Sequence, residues 1–145
     1  MRVNSFQFLI LHKVITMTEA ELSTVSWHPD GYIEIVFVGT QTPGQIREME
    51  RQAREIMESK NRSASVLIDA RRGRVGRDAT SFSAIMRLSR DRRLNRFIVL
   101  VDENPTDPHA GRETGVIISM VTAALGKRPI YIYDETAART LAASE

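Results

Sequence analysis

Four arginines and two glycines stand together at Arg71-Arg72-Gly73-Arg74-Val75-Gly76-Arg77, directly before Asp78-Ala79-Thr80-Ser81. Guanidinium groups hold phosphate and carboxylate oxygens through paired N–H donors. Glycine lets a backbone come close to an oxyanion, and the unpaired N–H groups at a helix start favour negative charge. If a helix opens at Asp78, the run is a candidate ligand- or partner-binding site. Its contact residues are Arg71, Arg72, Arg74, Arg77, Asp78, Thr80 and Ser81. It is not a Walker loop, because no Gly-Lys-Ser/Thr follows, and its glycines lack the dinucleotide spacing.

A second group is acidic. Asp102, Glu103, Asp107 and His109 follow one another closely, and carboxylates beside an imidazole suit cation binding or proton transfer. Their spacing matches no known pattern, and an enzyme would need Asp69, Asp102 and His109 to converge. His12, His28 and His109 are far apart, with none at ligand spacing to another. The chain has no cysteine, which excludes disulfides, thiol catalysis and Cys-ligated metal, and fits a reducing cytoplasm. The expectation is a non-enzymatic protein with no metal and no cofactor.

The elements that must position the arginine run can be read around it. Val66-Leu67-Ile68-Asp69 is a short apolar strand, assigned from Ser65 to Asp69, as expected in the interior of a parallel sheet. Phe82, Ile85, Met86 and Ser89 give the helix after Asp78 an inner face. The run is then a loop at the carboxyl end of a strand, where open α/β sheets meet their ligands.

Upstream, Glu21–Trp27 and Tyr32–Val38 read as strands joined at His28-Pro29-Asp30-Gly31, and Asp-Gly is a strong hairpin signal. Thr42-Pro43-Gly44-Gln45 supplies a helix cap, a proline at the first turn and a capping-box glutamine. Ile46, Met49, Ala53, Ile56 and Met57 then share an arc of about 100°, with Arg47, Glu50, Arg51, Arg54, Glu55 and Glu58 outside it.

Downstream, Phe97–Val101 is a buried strand, followed by a polar loop from Asp102 to Gly111. A third helix over Glu113–Leu125 has no charge from Thr114 through Gly126, which suits burial in a core or in a homodimer interface. Pro129–Tyr133 is the last strand, and Asp134 caps a final helix through Ala143.

This order predicts an α/β fold. An N-terminal β-hairpin leads into alternating helix-strand units, forming a mostly parallel sheet of about five strands covered by about four helices. Residues 21–145 form one domain. Residues 1–20 are an N-terminal arm or extra strand, with Met17 as an alternative start that would exclude residues 1–16.

The chain's 145 residues suffice for a core without staples, and 42% hydrophobic with 26% charged residues is a globular balance. The apolar run Phe6–Leu11 is too short for a membrane span and a poor signal peptide. Net charge is +2, yet residues 71–96 carry nine arginines against Asp78 and Asp91, giving +7 there and −5 elsewhere. Such a local field attracts anionic partners. Phe82 and Phe97, the aromatics near it, are core positions, which argues against nucleic acid as a partner. Arginine also outnumbers lysine 17 to 3 throughout, so part of the cluster reflects a bias of the whole chain.

The strand Val66-Leu67-Ile68-Asp69, its following loop and the helix entry Asp78-Ala79-Thr80-Ser81 resemble the STAS domains of anti-sigma factor antagonists and sulfate transporters. The likeness is architectural, covers about Glu21 to Ala143, and is greatest to small stand-alone bacterial STAS-like proteins. It implies a cytoplasmic regulatory module that works through protein contacts. In antagonist domains an Asp-Ser-Ser-Gly-like motif lies at this helix start, and phosphorylation of its first serine governs binding. Asp78 matches the acid, Ala79 stands at the phospho-acceptor position, and Thr80 or Ser81 are the hydroxyls left to carry a phosphate. The alternative is a binding protein for an anionic small molecule, nucleotide or lipid held by the Arg/Gly loop.

Overall fold

Strand β1 (Thr24–His28) turns into β2 (Tyr32–Gln41) where Gly31 adopts a φ of +95° and its N–H donates to the His28 carbonyl at 2.9 Å. A side chain is strained at that φ, so glycine is the residue the turn requires. The computed structural model describes residues 22–102 and 127–145. The hairpin pairs antiparallel from Thr24 opposite Val36 to His28 opposite Tyr32.

Helix α1 (Pro43–Lys60) opens as its sequence predicts. Thr42 Oγ1 accepts from the Gln45 N–H at 3.2 Å, and Gln45 Oε1 accepts from the Thr42 N–H at 2.9 Å. The reciprocal pair satisfies two backbone donors that a helix start otherwise leaves bare. The helix stops at Asn61, in the left-handed region at φ 48°, a conformation asparagine tolerates better than most residues.

There follow β3 (Ala64–Val75), α2 (Ala79–Ser89), β4 (Leu94–Leu100), β5 (Pro129–Ile132) and α3 (Glu135–Ala143). The α3 start is fixed by the Asp134 carboxylate, which accepts from the Ala137 N–H at 3.1 Å. The five strands form one mixed sheet in the order β1-β2-β3-β4-β5, with β1 antiparallel to β2 and the other neighbours parallel. The described residues contain three helices. The helix expected at 113–125 and the arm at 1–20 lie outside them, as does Glu21.

Alternation along the strands divides the sheet into two faces. Ile33, Ile35, Phe37, Val66, Ile68, Phe97 and Val99 face α1 and α2 and form the larger apolar layer with Met49, Ala53, Met57, Ala84 and Leu88. Tyr32, Leu67, Ile98 and Leu100 lie on the opposite face under Ala138 and Ala142 of α3.

Two helix faces differ from the sequence reading. Glu50 is buried at 6% exposure, because it lies about 40° from Ile46 around α1 and thus inside the apolar stripe. In α2 the buried residues are Ser81, Ala84, Ile85, Leu88 and Ser89, while Phe82 and Met86 are half-buried. The turn that caps α2 sets this rotation by drawing Ser81 inward.

Strand order rises without reversal across the sheet. Helices α1 and α2 consequently share one face, and the described strands have no switch point of the kind that opens a ligand crevice in doubly wound sheets. Among the described residues no helix is long and apolar enough to cross a membrane.

Candidate functional site

The expected Arg/Gly loop is mostly strand. β3 continues through Val75, pairing Val38 with Arg72, Gly39 with Gly73, Thr40 with Arg74 and Gln41 with Val75. β4 ends opposite Asp69, at Leu100. Among the described residues, then, β3 beyond Asp69 pairs with β2 alone, and the two strands project past the rest of the sheet as a ribbon.

The register breaks once in this ribbon. Val36 pairs with Asp69 and Val38 with Arg72, so Phe37 opposes both Ala70 and Arg71, a β-bulge. Ala70 packs in the core with Phe37, whereas Arg71 lies on the α3 face with Asp69. Beyond the bulge Val75 returns to the core layer, which puts Arg72 and Arg74 on the α3 face as well.

Gly73 is required by contact rather than by flexibility. A Cβ there would lie 2.6 Å from the Phe37 carbonyl carbon and 2.8 Å from the Gly39 carbonyl oxygen. Glycine inside a strand often marks such a close approach of two backbones. The close approach that this glycine permits is to the β2 backbone rather than to an oxyanion.

Arg71 is held from two sides. Its Nε and Nη2 donate to the two Asp69 carboxylate oxygens at 3.0 and 2.8 Å, and its Nη1 donates to Glu135 Oε2 at 3.2 Å. The Arg71 backbone N–H also donates to Asp69 Oδ1, at 3.1 Å. Burial pushes the Asp69 carboxyl up, but the guanidinium and backbone donors of Arg71 outweigh it and hold the group below its usual range.

The chain of charges continues across α3. Arg139 donates to Glu135 at 3.0 and 3.1 Å, to the Tyr32 hydroxyl at 2.9 Å, and to Glu34. Burial raises the Tyr32 pKa against the opposing effect of Arg139. His28 stacks on the same Tyr32 ring at a centroid distance of 4.4 Å. Asp69, Glu135 and Glu34 are thus each ion-paired, and this network ties α3 to β2 and β3. Sequence reasoning missed it because its members come from three distant segments; the signal available was the spacing of Glu135 and Arg139, four apart on one helix.

The rest of the predicted site occupies the ribbon and the start of α2. Arg72 and Arg77 are exposed, and Arg74 Nε donates to Thr40 Oγ1 at 3.0 Å. Asp78 caps α2: one carboxylate oxygen accepts from the Ser81 N–H at 2.7 Å, the other from the Ser81 hydroxyl at 2.8 Å. The position where an external anion was expected therefore holds Asp78's own carboxylate. Ser81 is fully buried, Thr80 half-buried and Ala79 exposed. A hydroxyl turned into its own cap is a poor phosphate acceptor.

Asp102 is half-buried at the end of β4; Glu103, Asp107 and His109 lie outside the described residues, and with them the expected acid-base cluster. Among the described residues no group of three His, Asp or Glu side chains is placed to hold a metal. A void of about 20 Å³ between α1, α2 and the sheet is apolar apart from Glu50. Glu50 Oε1 accepts there from Arg54 at 3.1 Å and from Arg87 at 3.3 Å, linking α1 to α2. No family model, curated protein or solved structure matches this chain.

Proposed function

We propose that the protein is a cytoplasmic, non-enzymatic regulatory module of STAS-like architecture that binds an acidic surface of another protein through its β3 end and α2 start. The observation that carries this reading is the internal carboxylate at the α2 terminus. With Asp78 bonded to Ser81, the N-terminal seat of the helix is filled, which weighs against a small anion held there by backbone donors. What faces a partner is a side-chain surface, Arg72, Arg74 and Arg77 with Thr80 beside them. Arginines on a surface, here the exposed Arg72 and Arg77 with the half-buried Arg74, steer and orient an acidic protein surface.

The ion-paired network supports the same reading. It locks α3 against the strands that carry these arginines, and a rigid scaffold presents contact residues at little ordering cost. Hydroxyl phosphorylation at this site falls to Thr80, since Ser81 is buried in the cap.

Affinity capture with the intact protein, compared with an Arg72→Glu/Arg74→Glu variant of equal melting temperature, tests the proposal. A partner retained by the first and lost by the second is expected. A thermal-shift series with phosphate, nucleotides and anionic lipids provides the opposing outcome: a rise for one of these that the variant abolishes would replace the protein-contact reading with the anionic-ligand one. The homodimer expected through the uncharged 114–126 segment rests on residues outside those described. Sedimentation equilibrium decides it, a strict monomer removing the claim.

A further inference from the structure

The arginine cluster that is continuous in sequence is divided in space. Arg71 to Arg77 lie at the carboxyl end of the parallel strands; α2 then carries the chain back, leaving Arg90, Arg92, Arg93 and Arg96 at the amino end. There they meet Lys60 and Arg62 from the α1–β3 connection, and Lys127 and Arg128 from the residues before β5. Backbone bonds stitch these segments together: the Ala64 N–H donates to the Arg93 carbonyl at 2.9 Å and the Lys127 N–H to the Ser89 carbonyl at 3.2 Å.

Among the described residues six cations of this end are exposed, namely Lys60, Arg62, Arg90, Arg92, Lys127 and Arg128. Asp91 does little to offset them, since Arg93 holds it at 3.0 Å with Arg54 at 3.9 Å. Among the described residues the exposed acids of this end are Asp30, Glu58 and Glu145. Lys60 and Arg62 lie over the Trp27 ring at 5.1 and 5.6 Å, contacts that leave their charge intact. Lys60 and Arg90 also offset the carboxyl termini of α1 and α2, and Lys127 lies beside the last carbonyl of α2 through its bond to Ser89. A cleft of about 370 Å³ in the same end is lined by Arg62, Ser63, Ser65 and Asn95, and also by Glu145.

We infer that the amino end of the sheet binds the phosphate backbone of nucleic acid without preference for base sequence. Adjacent strands lie about 4.8 Å apart, so cations on three neighbouring connections form a row, which suits a polymer of charges better than a single ion. Arginine's paired donors match phosphate oxygens. A protein partner would want an apolar or aromatic anchor, and a membrane surface would want apolar side chains to insert. Among the described residues the exposed large hydrophobic ones are Leu22, Ile130, Tyr131 and Tyr133, none of them on these connections. Stacking aromatics, whose scarcity in the 71–96 run argued against nucleic acid, are not needed where contact is to phosphates alone.

Fluorescence anisotropy with labelled random-sequence single strands and duplexes of about 20 nucleotides tests the inference. Binding is expected at about 50 mM salt, with a loss on the order of a thousandfold at about 200 mM if six cations engage. Combined Arg90→Gln, Arg92→Gln, Lys127→Gln and Arg128→Gln substitutions should weaken binding by about a hundredfold at unchanged melting temperature, while Arg72→Gln with Arg74→Gln should leave it within about twofold. If the fourfold variant melts early, Arg92→Gln with Arg128→Gln stands in for it, with about a tenfold loss expected. No binding at the lower salt, an equal loss from the Arg72 and Arg74 pair, or tighter binding to polyglutamate or phosphatidylserine vesicles would overturn it.

Discussion

At the carboxyl end of the sheet Arg71 and Arg74 are bonded into the fold with Arg72 and Arg77 exposed beside them, and at the amino end Arg93 and Arg96 are bonded while Arg90, Arg92, Lys127 and Arg128 are exposed. Arg71 is clamped between Asp69 and Glu135, Arg74 rests on Thr40, and the helix start beside them is closed by Asp78. At the other end, Arg90, Arg92, Lys127 and Arg128 have no bonded acid among the described residues, and the half-buried Asp91 is held by Arg93. The same residue type thus does structural work at Arg71 and carries an external field at Arg92. Composition cannot separate these roles, because what decides them is whether a carboxylate from another element reaches the same place.

The largest test of this contrast is Gly73→Val, which pushes two strand backbones apart at a contact already below 3 Å for a bare Cβ. A loss of about 3 kcal/mol is expected from overpacking, read by urea unfolding. A change of under about 0.5 kcal/mol would show that the ribbon yields easily and that the carboxyl end is not rigid.

Next is Asp69→Asn, expected to cost about 2 kcal/mol by uncoupling a buried carboxylate from Arg71. Its pH dependence has a definite sign. The folded-state pKa of Asp69 is lowered, so its contribution is present above the unfolded value of about 3.9 and disappears as pH falls through the lower folded value. The variant should therefore lose stability at neutral pH and show a flatter acid limb. An acid limb identical to that of the wild-type protein would mean that another carboxylate controls it.

Asp78→Ala sharpens the comparison differently. Loss of the cap should cost about 1 kcal/mol, while the vacated helix start becomes open to an external anion. Melting of the variant should rise with added phosphate more than melting of the wild-type protein does. Equal responses would show that Asp78 does not block the seat.

The smallest effect has the opposite sign. Ser65 is 2% exposed, and its hydroxyl has no hydrogen-bond partner among the described residues. Replacing it with alanine should stabilise the fold by about 1 kcal/mol, the desolvation penalty of an unsatisfied group. A loss of similar size in thermal unfolding would mean the hydroxyl is satisfied in solution.

Local rules made much of the fold legible. Asp30-Gly31 marked the hairpin and Thr42-Pro43 with Gln45 marked α1, because turns and caps are set by a few adjacent residues. Asp78 and Asp134 likewise marked two helix starts correctly. The extent of β3 was not legible, since Arg, Gly, Arg and Val have loop-like composition and their strand conformation depends on pairing with β2, some thirty residues earlier. Glu50 was set on the wet side by its charge although its angular position lies within the buried stripe. The candidate site was readable as a location, but Arg71 and Ser81 were read as ligand contacts when their partners, Asp69 with Glu135 and Asp78, lie within the protein.

The bulge opposite Phe37 governs how mutation by insertion or deletion would act on β3. An uninterrupted ladder after Asp69 would place Arg72 and Arg74 in the apolar layer and turn Val75 to water, since alternation fixes each side chain by its count along the strand. Arg71 is the odd residue that restores the phase. Deleting it would keep every later side chain on its present face while cutting the tie to α3, whereas deleting Arg72 instead would leave the count intact and depend on Arg71 to fill its place. One backbone irregularity thus makes this segment tolerant of losing a residue at a position where most strands would be turned inside out.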